Sequence, residues 1–229
     1  MSCQNLNDKM KNKLLTIVLT ILFFTVSVLD ITGIALNNSL MQMIFKPMII
    51  LSLMALYYFS AENKNNWYLL ALAFSFLGDV LLMDKNNLFL FGIASFLITQ
   101  IIFIVIIVKQ MERPSAFHKY LYAFLFVNYI VYLLNLLKPN LGELFYPVTV
   151  YGVTIAVFGL VATLNYVTKR TKPALVLMLG AGLFIASDSM IALNKFHEEK
   201  TYYPMAIMVT YVLAQYLIYR FMVKHKAMN

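Results

Sequence analysis

Three aspartates lie inside hydrophobic stretches of the sequence: Asp30, Asp79 and Asp188. Within a membrane-spanning segment, an ionisable side chain costs at least about 2.5–3.5 kcal/mol on insertion scales, so such a residue is a functional candidate by default. Intramembrane carboxyl groups are typical of acid–base chemistry and of proton relays. A position near the wet interface, or a polar clamp between helices, would explain them without any chemistry.

The surroundings of the three aspartates distinguish them. Asp79 lies deep in an apolar run, with Gly78 beside it and Ser75 on the same helical face. Asp188 is likewise flanked by small residues and serines. Small residues allow another backbone to approach closely and make a cavity possible. Asp30 lies only six residues from the end of its run, which favours the wet-interface or clamp interpretation. We therefore predict that Asp79 and Asp188 are the functional pair.

These aspartates stand out because the chain carries so little charge. Of its 229 residues, 62% are hydrophobic and 12% are charged. A soluble domain usually has about 25% charged residues. With half that charge, a soluble, disordered or fibrous protein is excluded, and an integral membrane protein remains.

A helix that crosses the bilayer needs about 20 mainly apolar residues. Eight segments qualify, namely 14–36, 42–61, 67–84, 88–108, 117–137, 145–167, 174–194 and 202–222. Short polar breaks separate them and leave no room for a soluble domain. We predict an all-α integral membrane protein, a single bundle of eight transmembrane helices over residues 14–222, with polar tails at 1–13 and 223–229.

The distribution of positive charge predicts the orientation of the bundle. With eight spans both termini lie on one side, which collects thirteen of the eighteen Lys and Arg residues. The other five are Lys46, Lys85, Lys138, Lys195 and Lys200. This bias places both termini on the cytoplasmic side of a cell membrane, which we expect to be a bacterial inner membrane. The net charge of +8 is therefore a signal of topology and does not indicate a nucleic-acid partner.

Further polar residues fall at the depth of the aspartate pair. On this topology Asp79 and Asp188 both lie in the outer half of the membrane. Spans running the other way carry polar residues at a similar or slightly greater depth, and two lysines lie at the rim above. These are Tyr151, Gln100, Tyr211 and Gln215, with Lys46 and Lys195 at the rim. A polar chamber with cations at its mouth is geometrically possible, although sequence cannot show whether these faces converge.

Motifs for other chemistries are absent from the sequence. Cys3 is the single cysteine, so neither an internal disulfide nor a thiolate metal site can form. The three histidines are scattered, and no phosphate-binding glycine loop or nucleophile elbow occurs. We therefore predict that the protein uses no metal and no cofactor.

Several short motifs occur in the order and spacing of the YhhN family, which includes the lysoplasmalogenases. They are Phe45-Lys46-Pro47, Ser75-x-x-Gly78-Asp79, Pro147-x-x-x-Tyr151, Ser187-Asp188-Ser189 with the glycines before it, and Tyr211-x-x-x-Gln215. The sequence resembles this family from about residue 40 to residue 222. Family members often have a histidine where this chain has Gln100, so Gln100 is a candidate for the substrate pocket only.

The resemblance implies an enzyme that hydrolyses the vinyl ether bond of lysoplasmalogen, releasing a fatty aldehyde and a glycerophospho-ethanolamine or -choline. That reaction needs a proton donor and a negative group near the developing oxocarbenium ion, as in glycosidases. Two aspartates in one apolar pocket could supply both without a cofactor. The implied roles are Asp79 and Asp188 as the acid/base pair, Lys46 and Lys195 as phosphate ligands, and Tyr151, Tyr211 and Gln215 as positioning groups for substrate or water.

Two other functions fit the same residues. Paired intramembrane carboxylates also serve proton-coupled transporters, and Asp79 and Asp188 stand four spans apart, as in a parallel internal repeat. A lipid-binding membrane protein is the third possibility. Ordinary snorkelling to the interface explains Lys46 and Lys195 equally well. The sequence determines neither the head-group preference nor the oligomeric state.

Overall fold

The computed structural model describes residues 3–84 and 87–224, with side chains described from residue 11 onward. The predicted positions of Lys85, His225, Lys226 and the end of the C-terminal tail lie outside these residues, as do the side chains of Cys3 and Lys9.

The described chain is built from eight α-helices and contains no strand. In chain order they are α1 Cys3–Ala35, α2 Ser39–Ser60, α3 Asn66–Leu81, α4 Phe89–Val108, α5 Ala116–Leu137, α6 Phe145–Lys169, α7 Lys172–Phe196 and α8 Tyr203–Lys224. Two short 3₁₀ turns, Lys138–Asn140 and Gly142–Leu144, connect α5 to α6. The prediction of an all-α protein with eight helices is therefore confirmed.

Seven of these helices are long and apolar enough to cross a membrane, as in a multi-pass membrane protein. The exception is α3, whose 16 residues extend about 24 Å at 1.5 Å per residue. It ends at Leu81, three residues before the predicted end of the span, and a turn follows. Large apolar side chains are exposed on all eight helices, as expected of a surface that faces lipid.

Polar residues in the short breaks begin several of the helices. The side chain of Asn65 accepts hydrogen bonds from the backbone N–H groups of Trp67 and Tyr68 at the start of α3. Asn38, Ser115 and Thr171 cap α2, α5 and α7 in the same way. Such caps satisfy N–H groups that the first helical turn leaves without a partner. Helix α1 starts earlier than its predicted span, so residues 3–13 of the predicted tail are helical.

The helices pack into one bundle around a continuous apolar core. Helix α7 packs along α8, α1 along α2 and α3 along α4, while α6 lies between α4 and α7. Helix α5 packs mainly on α6 and buries little of its own surface. Tyr57, Tyr68, Phe158 and Phe184 are fully buried in the core. This arrangement brings the aspartate-bearing helices α3 and α7 together with α4, α6 and α8.

Two glycines set close contacts between helices near the aspartates. A Cβ atom at Gly33 would lie 2.8 Å from the Cβ of Met41 and 3.3 Å from the backbone nitrogen of Gln42. Gly33 therefore allows α1 to approach the start of α2. A Cβ at Gly78 would lie 2.7 Å from the Phe96 ring. We expected Gly78 to admit another backbone, but the group it accommodates is this aromatic ring of α4.

We predict that Gly33→Ala destabilises the protein, because its methyl group meets the rigid Cβ and backbone of α2. Overpacking of this kind typically costs about 1–3 kcal/mol. Thermal unfolding in detergent should show a melting midpoint lowered by several degrees. The matched control is Gly182→Ala on α7, where an added Cβ has no atom within 4 Å. Equal melting midpoints for the two variants would contradict the close contact.

Candidate active site

Asp79 on α3 and Asp188 on α7 lie in the same buried region of the bundle. Their side chains are 4% and 8% exposed, respectively. The two carboxyl groups are within electrostatic range of each other, and the hydroxyl of Tyr211 is within range of both. The structure therefore brings together the two aspartates that the sequence singled out.

Each aspartate accepts a hydrogen bond from a tyrosine of another helix. The Tyr211 hydroxyl of α8 donates to Oδ2 of Asp79 at 2.7 Å. The Tyr151 hydroxyl of α6 donates to Oδ2 of Asp188. Buried polar groups need such partners, because leaving one without a hydrogen bond costs several times what the bond contributes. The two pairs are built alike, with one carboxyl group and one phenol in each.

A chain of hydrogen bonds holds the Asp79–Tyr211 pair in place. The side-chain amide of Gln215 donates to the Tyr211 hydroxyl and to Ser75 Oγ, both at 3.3 Å. Ser75 Oγ lies 3.4 Å from Thr99 Oγ1, which in turn donates to the carbonyl oxygen of Ala71 at 3.1 Å. The network therefore links α3, α4 and α8 and fixes the orientation of the phenol.

Gln100 of α4 lies beside the other pair. Its side chain is fully buried and close to the Tyr151 hydroxyl. Within the described part of the chain, neither atom of its amide makes a hydrogen bond of ordinary geometry. Gln100 therefore presents polar atoms toward Tyr151 and Asp188 from the α4 side.

Aromatic rings close the site on the core side. Phe96 and Phe184 pack edge-to-face at 6.2 Å between ring centroids, and Tyr211 packs on them at 6.0 Å and 5.8 Å. All three rings are at least 96% buried. They lower the local dielectric, so charges within this region interact more strongly than they would in water.

A cavity of about 320 Å³, here called the outer cavity, is lined by Asp30. Its polar lining residues come from α1, α2, the end of α7 and the segment that follows α7, and they are Asp30, Gln42, Lys46, Asn194, Lys195 and Glu199. A smaller inner cavity of about 30 Å³ is lined by Asp188 and Tyr151. Leu82, Phe89 and Ile191 line both cavities, so the two are neighbours.

The predicted lysines both line the outer cavity. Lys46 acts electrostatically on Asp30 and on Asp79. Lys195 places its ammonium group 4.4 Å from the centroid of the Phe89 ring. Of the two paired aspartates, Asp188 lines the inner cavity, whereas Asp79 is not among the lining residues of either cavity. The two cations thus line the outer cavity, and Asp188 lines the neighbouring inner cavity.

Beyond Asp188 the cavities continue toward the lipid-facing surface. A side cavity of about 30 Å³ is lined by Asp188, Tyr151 and Val148, which also line the inner cavity. Tyr129 lines this side cavity and also a wide groove of about 640 Å³. The groove lies between α5, α6 and α7 and is almost entirely apolar. We call it the lipid groove, and its lining includes Phe126, Gly159, Met178, Leu179, Gly182 and Leu183.

Sequence reasoning underestimated Asp30 and overlooked part of the cavity. Asp30 is fully buried, so its side chain is not exposed at the surface of the bundle, and it lines the outer cavity. Neither of its oxygens has a hydrogen-bond partner among the described residues, so it does not clamp two helices. Three polar lining residues were missed, because the sequence does not distinguish them from other polar residues near helix ends and in loops. They are Gln42, Asn194 and Glu199. The signal that could have identified these three residues was their closeness in sequence to Lys46 and Lys195.

The described residues contain no group of three His, Cys, Asp or Glu side chains placed to hold a metal ion. The site consists of two carboxyl–phenol pairs, the outer cavity with charges of both signs, and the nearby apolar lipid groove. Such an arrangement can transfer protons in a dry environment and bind an amphipathic molecule.

We predict that the outer cavity opens to water on the non-cytoplasmic face. In a Cys3→Ser background, which removes the single cysteine, Asn194→Cys should react with a charged, membrane-impermeant thiol reagent added to that face. The control is Ser52→Cys on α2, which is 7% exposed and lines neither cavity. Labelling of Asn194→Cys only from the cytoplasmic side would contradict the predicted orientation.

Comparison with known proteins identifies the family of this chain. The family model described as the YhhN family matches residues 41–222, which is most of the chain and includes every candidate site residue from Lys46 to Gln215. Neither the curated proteins nor the solved structures give a match. Helix α1, which carries Asp30, precedes the matched residues. The family model matches well over half of the chain, and the protein therefore belongs to the YhhN family.

Proposed function

We propose that this protein is a membrane-embedded hydrolase that cleaves the vinyl ether bond of a lysoplasmalogen or a related ether lipid. The observation that carries the proposal is the pair of buried aspartates, each held by a tyrosine, one of which lines the inner cavity between the polar outer cavity and the apolar lipid groove. The substrate has the same polarity, with a charged head group, one reactive bond and one alkyl chain.

The reaction begins with transfer of a proton to carbon. We assign Asp188 as the acid because, of the two aspartates, it lines the inner cavity where the alkenyl group would lie. Its proton moves to the alkenyl carbon that does not carry the ether oxygen, and the other carbon becomes part of an oxocarbenium ion. The Tyr151 hydroxyl donates a hydrogen bond to Oδ2 of Asp188. The other carboxyl oxygen, Oδ1, therefore carries the proton.

The cation that forms needs a negative charge nearby. Asp79 is the fixed carboxylate in this proposal, because the Gln215–Tyr211 chain directs hydrogen-bond donors toward it. In a low-dielectric site a fixed charge of this kind stabilises a developing cation far more than it would in water. Asp79 therefore acts on the transition state through its charge and need not contact the substrate.

Water completes the reaction. It adds to the oxocarbenium carbon while its proton passes to Asp188, which regains its acidic form. The resulting hemiacetal collapses to a fatty aldehyde and a free glycerol hydroxyl group. Overall, the reaction consumes one water molecule and breaks one ether bond, and no cofactor takes part. Glycosidases use two carboxyl groups around a similar ion in the same way.

We predict that Asp79→Asn and Asp188→Asn each lower kcat for vinyl ether cleavage by about 100-fold or more, since electrostatic stabilisation in the first case and acid–base catalysis in the second contribute at least that much. Purified variants would be given lysoplasmalogen in detergent, and aldehyde release would be followed. Glu62→Gln, in the exposed break after α2, is the control and should retain full activity. Saturated ether and ester lysolipids should not be cleaved by the wild-type protein.

Full activity in both aspartate variants would contradict the proposed chemistry. If the well-folded wild-type protein cleaves no lysolipid, transport or lipid binding becomes the better explanation of the same residues. No observation in the structure favours either of these functions over hydrolysis. Transport rests on the buried aspartates alone, and lipid binding uses only the lipid groove and the outer cavity, whereas hydrolysis gives a role to all three features.

The lipid groove is the proposed binding site for the alkyl chain. From Asp188 to Met178 along α7 the path extends about 15 Å at 1.5 Å per residue, and the groove lining is apolar throughout this range. A chain attached to a bond beside Asp188 would pass Tyr129 and lie against α5, α6 and α7. The head group would then remain near Lys46 and Lys195.

We predict that Gly182→Leu narrows the lipid groove and raises KM for long-chain substrates several-fold, with little effect on short-chain ones. The substitution adds bulk where no atom lies within 4 Å, so the fold should tolerate it. Val209→Leu on α8, 39% exposed and outside the groove, is the control. Kinetics with substrates of graded chain length test this. An equal change in KM at all lengths would place the chain elsewhere.

A further inference from the structure

Asp30 is a buried acid that the proposed chemistry does not use. Its side chain is fully buried on α1, and neither carboxyl oxygen has a hydrogen-bond partner among the described residues. Burying a carboxylate without hydrogen bonds or a counter-charge is costly. Asp30 nevertheless lines the outer cavity, so its side chain borders the space that a ligand in this cavity would occupy.

The outer cavity carries charges of both signs. Lys46 and Lys195 line it together with Asp30 and Glu199. Lys46 acts electrostatically on Asp30, so the cation from α2 and the anion from α1 face the same space. Glu198, the neighbour of Glu199, forms an ion pair with Lys200 at 3.0 Å instead. A ligand that carries one negative and one positive group would meet an opposite charge on each side.

We infer that Asp30 is the amine subsite of the head-group site and that it selects a primary ammonium, as in phosphoethanolamine, over a quaternary one. The phosphate is held by Lys46, with Lys195 at the mouth of the cavity. The ammonium of the lipid head group lies beside the Asp30 carboxylate and donates hydrogen bonds to its two oxygens. This inference rests on the proposed function for the identity of the lipid.

Hydrogen-bond donors are the reason for the preference. A primary ammonium has three N–H groups, whereas the trimethylammonium of choline has none. Choline could neutralise the charge of Asp30, but it would leave both oxygens without a donor in a buried position. A missing hydrogen bond to a charged group is worth about tenfold or more in affinity. Asp30 precedes the residues that the family model matches, so this subsite belongs to α1 of this chain.

The first experiment measures binding and needs no cleavage. Saturated ether lysolipids with phosphoethanolamine, its N-methyl and N,N-dimethyl forms and phosphocholine would be titrated into the wild-type protein in detergent. We expect affinity to fall as N–H groups are lost, by about tenfold or more between the phosphoethanolamine and phosphocholine lipids. Equal affinities across the series would overturn the inference. Because these lipids lack the vinyl ether, failure of the proposed hydrolysis would not affect this measurement.

The second experiment assigns the preference to Asp30. Asp30→Asn should bind the ethanolamine and choline lipids with nearly equal affinity, whereas Ser27→Ala should retain the wild-type ratio. Ser27 is a matched control, because it is buried on α1 one turn before Asp30 and donates to its own backbone, at the carbonyl of Phe23. A preference unchanged in a folded Asp30→Asn protein would show that Asp30 serves only as a counter-charge for Lys46.

Discussion

Two carboxyl groups can be buried in this apolar bundle because a tyrosine hydroxyl from another helix donates to each of them. Without such donors an acid in this environment would cost several kcal/mol. The rest of the site follows from this constraint. Helices α6 and α8 must approach α7 and α3 closely enough for the phenols to reach, and Gly78 leaves room for the Phe96 ring, which packs on Tyr211. The Gln215 network then holds one phenol, and Gln100 lies beside the other.

Much of this arrangement could be predicted from the sequence, because the membrane restricts what a charged residue can do. Runs of apolar residues predicted both ends of every helix except α1 to within three residues, and the cost of burial singled out Asp79 and Asp188. The partners Tyr151 and Tyr211 followed from depth alone, since residues at one height in a bundle can meet. What depth could not give was rotation about the helix axis, which decides whether two faces converge.

The same limitation explains the errors. Asp30 seemed to lie near the end of its span, but the contact at Gly33 draws α1 against α2 and leaves the carboxyl group buried beside a cavity. Helix α3 is shorter than its apolar run because residues 82–84 form a turn. The lipid groove depends on α5 standing apart from α7, which no periodicity in either helix reveals. Cavities depend on the distances between helices, and these distances cannot be read from the sequence of any one helix.

The central claim is that an aspartate at the end of this cavity protonates carbon. Hydrolysis of lysoplasmalogen in D₂¹⁸O tests it most directly, with the aldehyde trapped by rapid reduction and both products examined by mass spectrometry. The account predicts one deuterium on the carbon next to the aldehyde carbon, and oxygen from solvent water in the aldehyde rather than in the glycerol product. An aldehyde without that deuterium, or solvent oxygen in the glycerol hydroxyl, would contradict the mechanism.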